Sequence, residues 1–375
     1  MSKDKSTKDI LLEHSVAKVK LFERYLSIYL NILDRAKFVR EIILADLFAG
    51  EGIYKDGEKG SPIIAFEAIS RHLKSEKENK KILFLINDPE KSIIEPEKFK
   101  VERVEEWINR FEYPPDLKIK YSKHNFEKLM PAILNDLRQM HSNDRALLFI
   151  DPWGYKEIRP NDIKQLISNE KVEILLFLPI SFMYRFSKTA IKKGFVGSEP
   201  LEAFLIELFG EESEAILNIA GVEEFVTVVR EKFKDYLNVP YADDFILTTE
   251  EGNTYCLYFF SFNKLGYQKI IEAKWRFDED YGRGMNREEN FNLFSGPNYD
   301  NYGENLCKFI FDSEGRTNNE LEDFGYEHRF LPKHTKEVLD RLKIEGKIKI
   351  ESIDGFPVKG FYIGNNKRKV LIKKS

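Results

Sequence analysis

Apolar positions follow two rhythms along the first three quarters of the chain. Short runs at 42–44, 82–86, 117–121, 146–150 and 172–180 have the length of buried strands. Between them, apolar residues recur every three or four positions. Val19, Phe22, Leu26, Tyr29 and Leu33 mark an amphipathic helix over 14–35, and comparable spacing predicts helices over 97–111 and 127–140. Strand and helix in alternation predict an α/β fold with a parallel sheet. The continuous run at 172–180 reads as the central fifth strand, with Glu173 at its edge. Residues 185–240 then turn helical without a strand, through Leu201, Phe204, Leu205 and Leu208 and later Phe225, Val226, Val229 and Phe233. They predict a helical insertion. Two β-rich runs, 244–249 and 254–262, flank Glu250-Glu251-Gly252-Asn253 and predict a closing hairpin, with a helix over 266–274 after it.

The rhythm then changes. Residues 277–303 are polar and glycine-rich, with low periodicity, and read as a linker. From 304 onward three short helices are expected, the second capped by Thr317 and the third over 333–345. Two β-like runs follow at 347–353 and 360–363. Three helices and a hairpin read as a winged-helix-like domain over 304–375, after a sheet domain over 1–276. The third helix carries Lys336, Arg341 and Lys343 beside Val338, Leu339 and Leu342.

Charge sharpens this division. The 375 residues are 42% hydrophobic, enough for a large core, and the formal charge is only −4. The segment from Lys333 onward holds 12 Lys and Arg against 5 Asp and Glu. A basic tail therefore follows an acidic body; such a tail suits a nucleic-acid groove, and a winged helix that binds only protein explains the same residues. Cys256 and Cys307 stand far apart, and neither they nor the six histidines have zinc or iron–sulfur spacing, so no metal is assigned. No apolar signal core or membrane span is read, and a cytoplasmic location is the expectation.

The candidate chemistry lies where the apolar runs end. The first run closes on Asp46-Leu47-Phe48-Ala49-Gly50-Glu51-Gly52, and Gly60-Ser61-Pro62 then starts a helix. Glycines at the carboxyl end of a parallel strand let a ligand approach the backbone, and Asp46 can accept from an amine or water. No dinucleotide fingerprint or phosphate loop is present. The second run closes on Asn87-Asp88-Pro89-Glu90, where Asp88, with Glu90 second, can accept the hydroxyls of a ribose. A plain strand-terminating turn explains the same residues. The third closes near Asn125 and Phe126, a polar and an apolar side chain side by side, the pair that an S-adenosylmethionine-type site sets against the adenine amine and ring. The fourth closes on Asp151-Pro152-Trp153-Gly154-Tyr155. An oxygen acceptor, a stiffening proline and an aromatic ring there can hold the amine of an extruded base, though such turns usually carry a second proline. A structural turn in which Trp153 and Tyr155 pack on the first loop is the alternative.

The Asp-Leu-Phe-Ala-Gly-x-Gly stretch resembles the first motif of class I S-adenosylmethionine methyltransferases. Together with His14 and Lys18 on the opening helix, Gly60-Ser61-Pro62, Asn87-Asp88-Pro89 and Asp151-Pro152-Trp153-Gly154, it resembles the three-Cys-motif partner proteins over roughly residues 14–275. That resemblance implies a Rossmann-like seven-stranded methyltransferase sheet, S-adenosylmethionine as cofactor, and a radical-SAM-like three-cysteine protein as partner. Lys18, Asp46, Phe48, Gly50, Gly52, Asp88, Asn125 and Phe126 become cofactor-binding candidates, with Lys18 reaching a cofactor carboxylate. Asp151, Pro152 and Tyr155 become catalytic candidates. Two functions follow: a nucleic-acid methyltransferase, or a non-catalytic partner that keeps the cofactor-shaped pocket and binds the three-cysteine protein, nucleic acid, or both.

Overall fold

A computed structural model describes residues 13–75, 80–191, 199–210, 216, 219–249, 252–277, 284–286, 299–353, 362–363 and 369–375. The chain divides into two compact units, Met1–Phe277 with Arg283–Glu289, and Asp278–Gly282 with Asn290–Ser375.

The first unit alternates as its apolar runs require. Helix α1 (Glu13–Arg35) precedes β1 (Glu41–Asp46), α2 (Ser61–Ser75), β2 (Lys81–Asn87), α3 (Lys100–Ile108), β3 (Leu117–Ser122), α4 (Phe126–Arg138), β4 (Arg145–Ile150), α5 (Pro160–Ile167) and β5 (Val172–Leu178). Three helices follow, α6 (Ile180–Ile191), α7 (Glu199–Phe209) and α8 (Val222–Leu237), before β6 (Tyr241–Thr248), β7 (Thr254–Ser261), α9 (Lys264–Phe277) and β8 (Gly284–Asn286). The sheet order is β3-β2-β1-β4-β5-β7-β6-β8, with β7 antiparallel to β5 and β6. The first seven strands are the expected methyltransferase arrangement, and β8 extends it by pairing Gly284, Met285 and Asn286 with Ile246, Leu247 and Thr248. That strand corrects part of the expected linker, most of which lies outside the described residues. Three residues are too few to show a period, yet they satisfy backbone groups that the β6 edge would leave bare.

Every residue of β5 is buried because both faces of the sheet are covered. On one face α1 lies between α2 and α9, with Phe22 stacked on Phe149 at 4.4 Å. On the other, α4, α5 and α8 enclose Ala146, Leu148, Ile150, Ile174 and Leu176. Each large apolar side chain so buried contributes about 1.5–3 kcal/mol.

Glu173 is the second residue of β5, near the start of the run as expected. It is buried, accepting from the Tyr25 hydroxyl and from Ser261 at 3.2 Å. Burial raises its pKa to about 7, against the opposing effect of those two hydrogen bonds. A carboxylate is tolerated inside the sheet because residues far away in sequence supply its donors.

The second unit contains α10 (Tyr299–Phe311), β9 (Arg316–Thr317), α11 (Asn318–Glu327), α12 (Pro332–Ile344), β10 (Ile348–Ser352) and β11 (Val370–Lys374). It is a winged helix. Thr317 caps α11 as expected: its hydroxyl accepts from the Glu320 amide at 3.3 Å, and Glu320 accepts from the Thr317 amide at 2.8 Å. Tyr302 anchors the core, stacking on Phe330 at 4.0 Å and sharing a 2.6 Å hydrogen bond with Thr335. The strand paired with β10 is not 360–363, whose first two residues lie outside the described set. It is β11, which runs between β10 and β9 and buries Val370 and Ile372. Those apolar positions were masked in sequence by the lysines around them.

No helix among the described residues is long and apolar enough to cross a membrane.

Candidate functional site

The parallel strands β1 to β4 end together, and their turns are bonded to one another. The Leu47 amide donates to the Phe149 carbonyl at 3.1 Å, and the Asp88 amide to the Ser122 carbonyl at 3.2 Å. Asn87 is fully buried, donating from its side chain to the Leu47 carbonyl at 3.0 Å and accepting from the His124 amide at 3.2 Å. The conformation of the first turn depends on glycine. Gly50 and Gly52 have φ of +67° and +74°, and a Cβ at Gly52 would come within 2.5 Å of a Val104 methyl.

Asp46 is completely buried at the end of β1, and neither carboxylate oxygen makes a well-formed hydrogen bond. Burial raises its pKa to about 7; the nearby Ser61 hydroxyl and Phe48 amide favour the charged form, while the charges of Asp151 and Asp88 oppose it. Such a group is costly unless something completes it.

Asp88 is also buried, but its oxygens accept from the Gly50 amide at 2.8 Å and the Glu90 amide at 2.9 Å. Burial raises its pKa, and the Lys100 charge is the largest opposing influence. A carboxylate has about four acceptor positions, so it retains capacity for hydroxyl donors. Glu90 is paired with Lys100 at 2.5 Å. Asn125 is exposed at the start of α4, and Phe126 stacks on Phe48 at 5.6 Å. Phe48, Asp88, Asn125 and Phe126 line one cavity of about 310 Å³ with Trp153 and Lys156. The turns after β1, β2, β3 and β4 thus meet around one space.

A second cavity of about 550 Å³ shares Glu90, Trp153, Lys156 and Glu157 with the first and reaches Tyr54, Ile93, Pro179, Phe182 and Leu201. Trp153, 58% exposed, stands between the two, with the Lys100 ammonium 4.8 Å from its ring centre and its amide donating to Glu157 at 2.6 Å.

Two candidates have different company from that expected. Lys18 is buried and pairs with Asp151 at 2.5 Å, its ammonium 4.2 Å from the Phe177 ring. It therefore meets a protein carboxylate where a cofactor carboxylate was expected, because α1 crosses directly over the end of β4. Tyr155 is buried too, and its hydroxyl donates to the Pro179 carbonyl at 2.9 Å. Both aromatics of that turn line the larger cavity, but Trp153 is the exposed one. Pro152 is buried beneath it.

Sequence reasoning missed Tyr54. It lies in a polar loop with no periodicity, and only proximity in space shows that Asp151, Glu51, Asp88 and Asp46 surround it.

In the second unit, α12 presents Lys333, Arg341 and Lys343 on its exposed side, while Lys336 pairs with Asp340.

Residues 283–355 match a family described as the GMT-like wHTH domain. No curated protein sequence matches the chain significantly. Among solved structures, a Legionella pneumophila protein of family DUF519 is similar at 14% identity and TM-score 0.39, covering 69% of this chain and 89% of its own. A DUF574 protein from Streptomyces avermitilis is similar at 8% identity and TM-score 0.31, over 65% and 83%. A loganic acid methyltransferase with SAH is similar at 9% identity and TM-score 0.27, over 71% and 99%. Likeness at that level carries no argument about the site, which rests on the strand order and side chains above.

Proposed function

We propose that the first unit is an S-adenosylmethionine-dependent methyltransferase and that its acceptor is an amine on a nucleic-acid base. Asp46 carries this reading: a completely buried carboxylate beneath a glycine turn, with only the Ser61 hydroxyl and the Phe48 amide near it and neither in good hydrogen-bond geometry, suits the ammonium of an amino-acid ligand. Asp88 would accept the ribose hydroxyls, and Asn125 with Phe126 would bracket the adenine. S-adenosylmethionine, when bound, supplies a methyl group activated on a sulfonium. The chain's contribution is alignment, through Asp151 and the Pro152 carbonyl on the acceptor amine and Trp153 against its ring. The exposed basic side of α12 would hold the nucleic-acid backbone.

The Lys18–Asp151 pair favours a second reading. With Asp151 already paired to Lys18 and the Tyr155 hydroxyl bound to Pro179, the acceptor turn resembles a structural turn. The protein would then be a non-catalytic partner of a three-cysteine-motif protein. Tritiated-methyl transfer from S-adenosylmethionine to mixed DNA and RNA separates the two. The enzymatic reading expects transfer that Asp151→Ala abolishes while cofactor affinity stays within about twofold, because the residue acts on the acceptor side. Tight cofactor binding with no transfer, even after the three-cysteine protein is added, would leave only the partner reading.

A further inference from the structure

The glycine turn is already covered by a side chain of the protein itself. Tyr54 lies two residues beyond Gly52, its amide donating to the Glu58 carbonyl at 3.0 Å and its carbonyl accepting from the Gly57 amide at 3.1 Å. From that tight turn its side chain reaches back over the bare backbone. A Cβ on Gly50 would stand 3.3 Å from the Tyr54 hydroxyl, and one on Gly60 would stand 3.4 Å from its Cε2. Gly52 differs, since there the missing side chain makes room for Val104 of the core. Gly60 also lies against the Gly52 backbone, its absent Cβ 3.3 Å from the Gly52 carbonyl oxygen, so Gly50 is the glycine whose open face Tyr54 covers.

The loop beneath is fixed. Glu51 pairs with Arg103 at 2.5 Å and accepts from Ser92 at 2.7 Å and the Ile93 amide at 2.8 Å. A ligand entering here would displace the side chain more readily than the backbone, and Tyr54 also lines the 550 Å³ cavity, which offers room for a displaced ring. The acids around the phenol provide no competing reason for a tyrosine: burial and the charges of Asp151, Glu51, Asp88 and Asp46 all hold it in its neutral form.

We propose that Tyr54 is a gate on the methyl-donor compartment: its side chain, with the hydroxyl over Gly50 and the ring edge beside Gly60, fills the place of the donor's amino-acid end and turns toward the larger cavity when the donor binds. This rests on the methyl-donor reading above. The gate lowers apparent affinity by the fraction of time it stands open.

The test is calorimetric titration of the full chain with S-adenosylhomocysteine, using Tyr54→Phe, Tyr54→Leu and Tyr54→Ala. A gate closed roughly nine-tenths of the time predicts binding about tenfold tighter in Tyr54→Ala. Tyr54→Leu should fall between, and Tyr54→Phe, which keeps the ring, should stay within about twofold of the parent. Affinity unchanged or weakened in Tyr54→Leu and Tyr54→Ala, with the parent binding, overturns the gate and leaves the donor reading standing. Should Tyr54→Ala not fold, Tyr54→Leu decides alone. No binding by the parent or any variant removes the donor reading, and the gate with it.

Discussion

Two strands of the same sheet bury acids in opposite ways. On β6, Asp243 pairs with Lys274 at 2.6 Å and Asp244 with Arg230 at 2.5 Å, and Lys274 also donates to the Asp244 carbonyl. On β1, Asp46 is buried as deeply, yet the charges that act on it most, those of Asp151 and Asp88, have its own sign. Burial raises the pKa of both Asp46 and Asp243, but at Asp243 the Lys274 charge pulls it back. A buried charge whose counter-charge is part of the chain needs nothing more, whereas one among like charges is the kind of group that the proposed donor's ammonium would complete.

The comparison breaks most readily at Lys274. Replacing it with methionine strands Asp243 in the interior and should cost about 3–5 kcal/mol in urea unfolding. Asp46→Asn, which removes a charge that has no partner, should leave stability unchanged or raise it. Equal losses in the two variants would erase the distinction between the sites.

A smaller effect is expected in binding. Asp46→Asn should weaken S-adenosylhomocysteine by about 10- to 100-fold in calorimetry, the range of a hydrogen bond to a charged group, about 1.5–3 kcal/mol. Asp88→Ala should weaken it less, because part of that carboxylate's work is holding the Gly50 and Glu90 amides. An Asp46→Asn protein with parental affinity would mean that Asp46 does not hold the donor.

The smallest effect is in pH. Asp46 and Glu173 have folded pKa values of about 7, above the ordinary carboxylate range, so the folded state binds more protons than the unfolded one between roughly pH 4 and 7. Stability therefore falls as pH rises through that window and levels off above it. Between pH 6 and 8 each group should account for about 1 kcal/mol of the fall. Asp46→Asn should remove its share from the slope, leaving that of Glu173, as denaturant curves at the two pH values would show.

Sequence reading found the strand ends because parallel central strands are continuous apolar runs, and their closing turns carry residues with little other use there. Asp46, Asp88, Asn125 and Asp151 were visible for that reason. What it missed depends on partners remote in sequence. Lys18 and Asp151 are 133 positions apart, Tyr25 and Glu173 148, and nothing local says that either pair will meet. The burial of Tyr155 was hidden for a related reason: its turn carries two aromatics, and only packing against Phe204 and Phe182 decides which is buried. The last wing strand was hidden because a short apolar run among lysines resembles a solvated tail.

Asn87 has a consequence in time as well as in space. Its side chain joins the turn after β1 to the turn after β3, and its own carbonyl takes the Ala49 amide at 2.9 Å. Three segments so linked cannot loosen one after another, since releasing any one strands a buried polar group in the next. The amide protons of Ala49 and His124 should therefore exchange with solvent as members of one cooperative unit, and the floor of the site should open rarely and all at once.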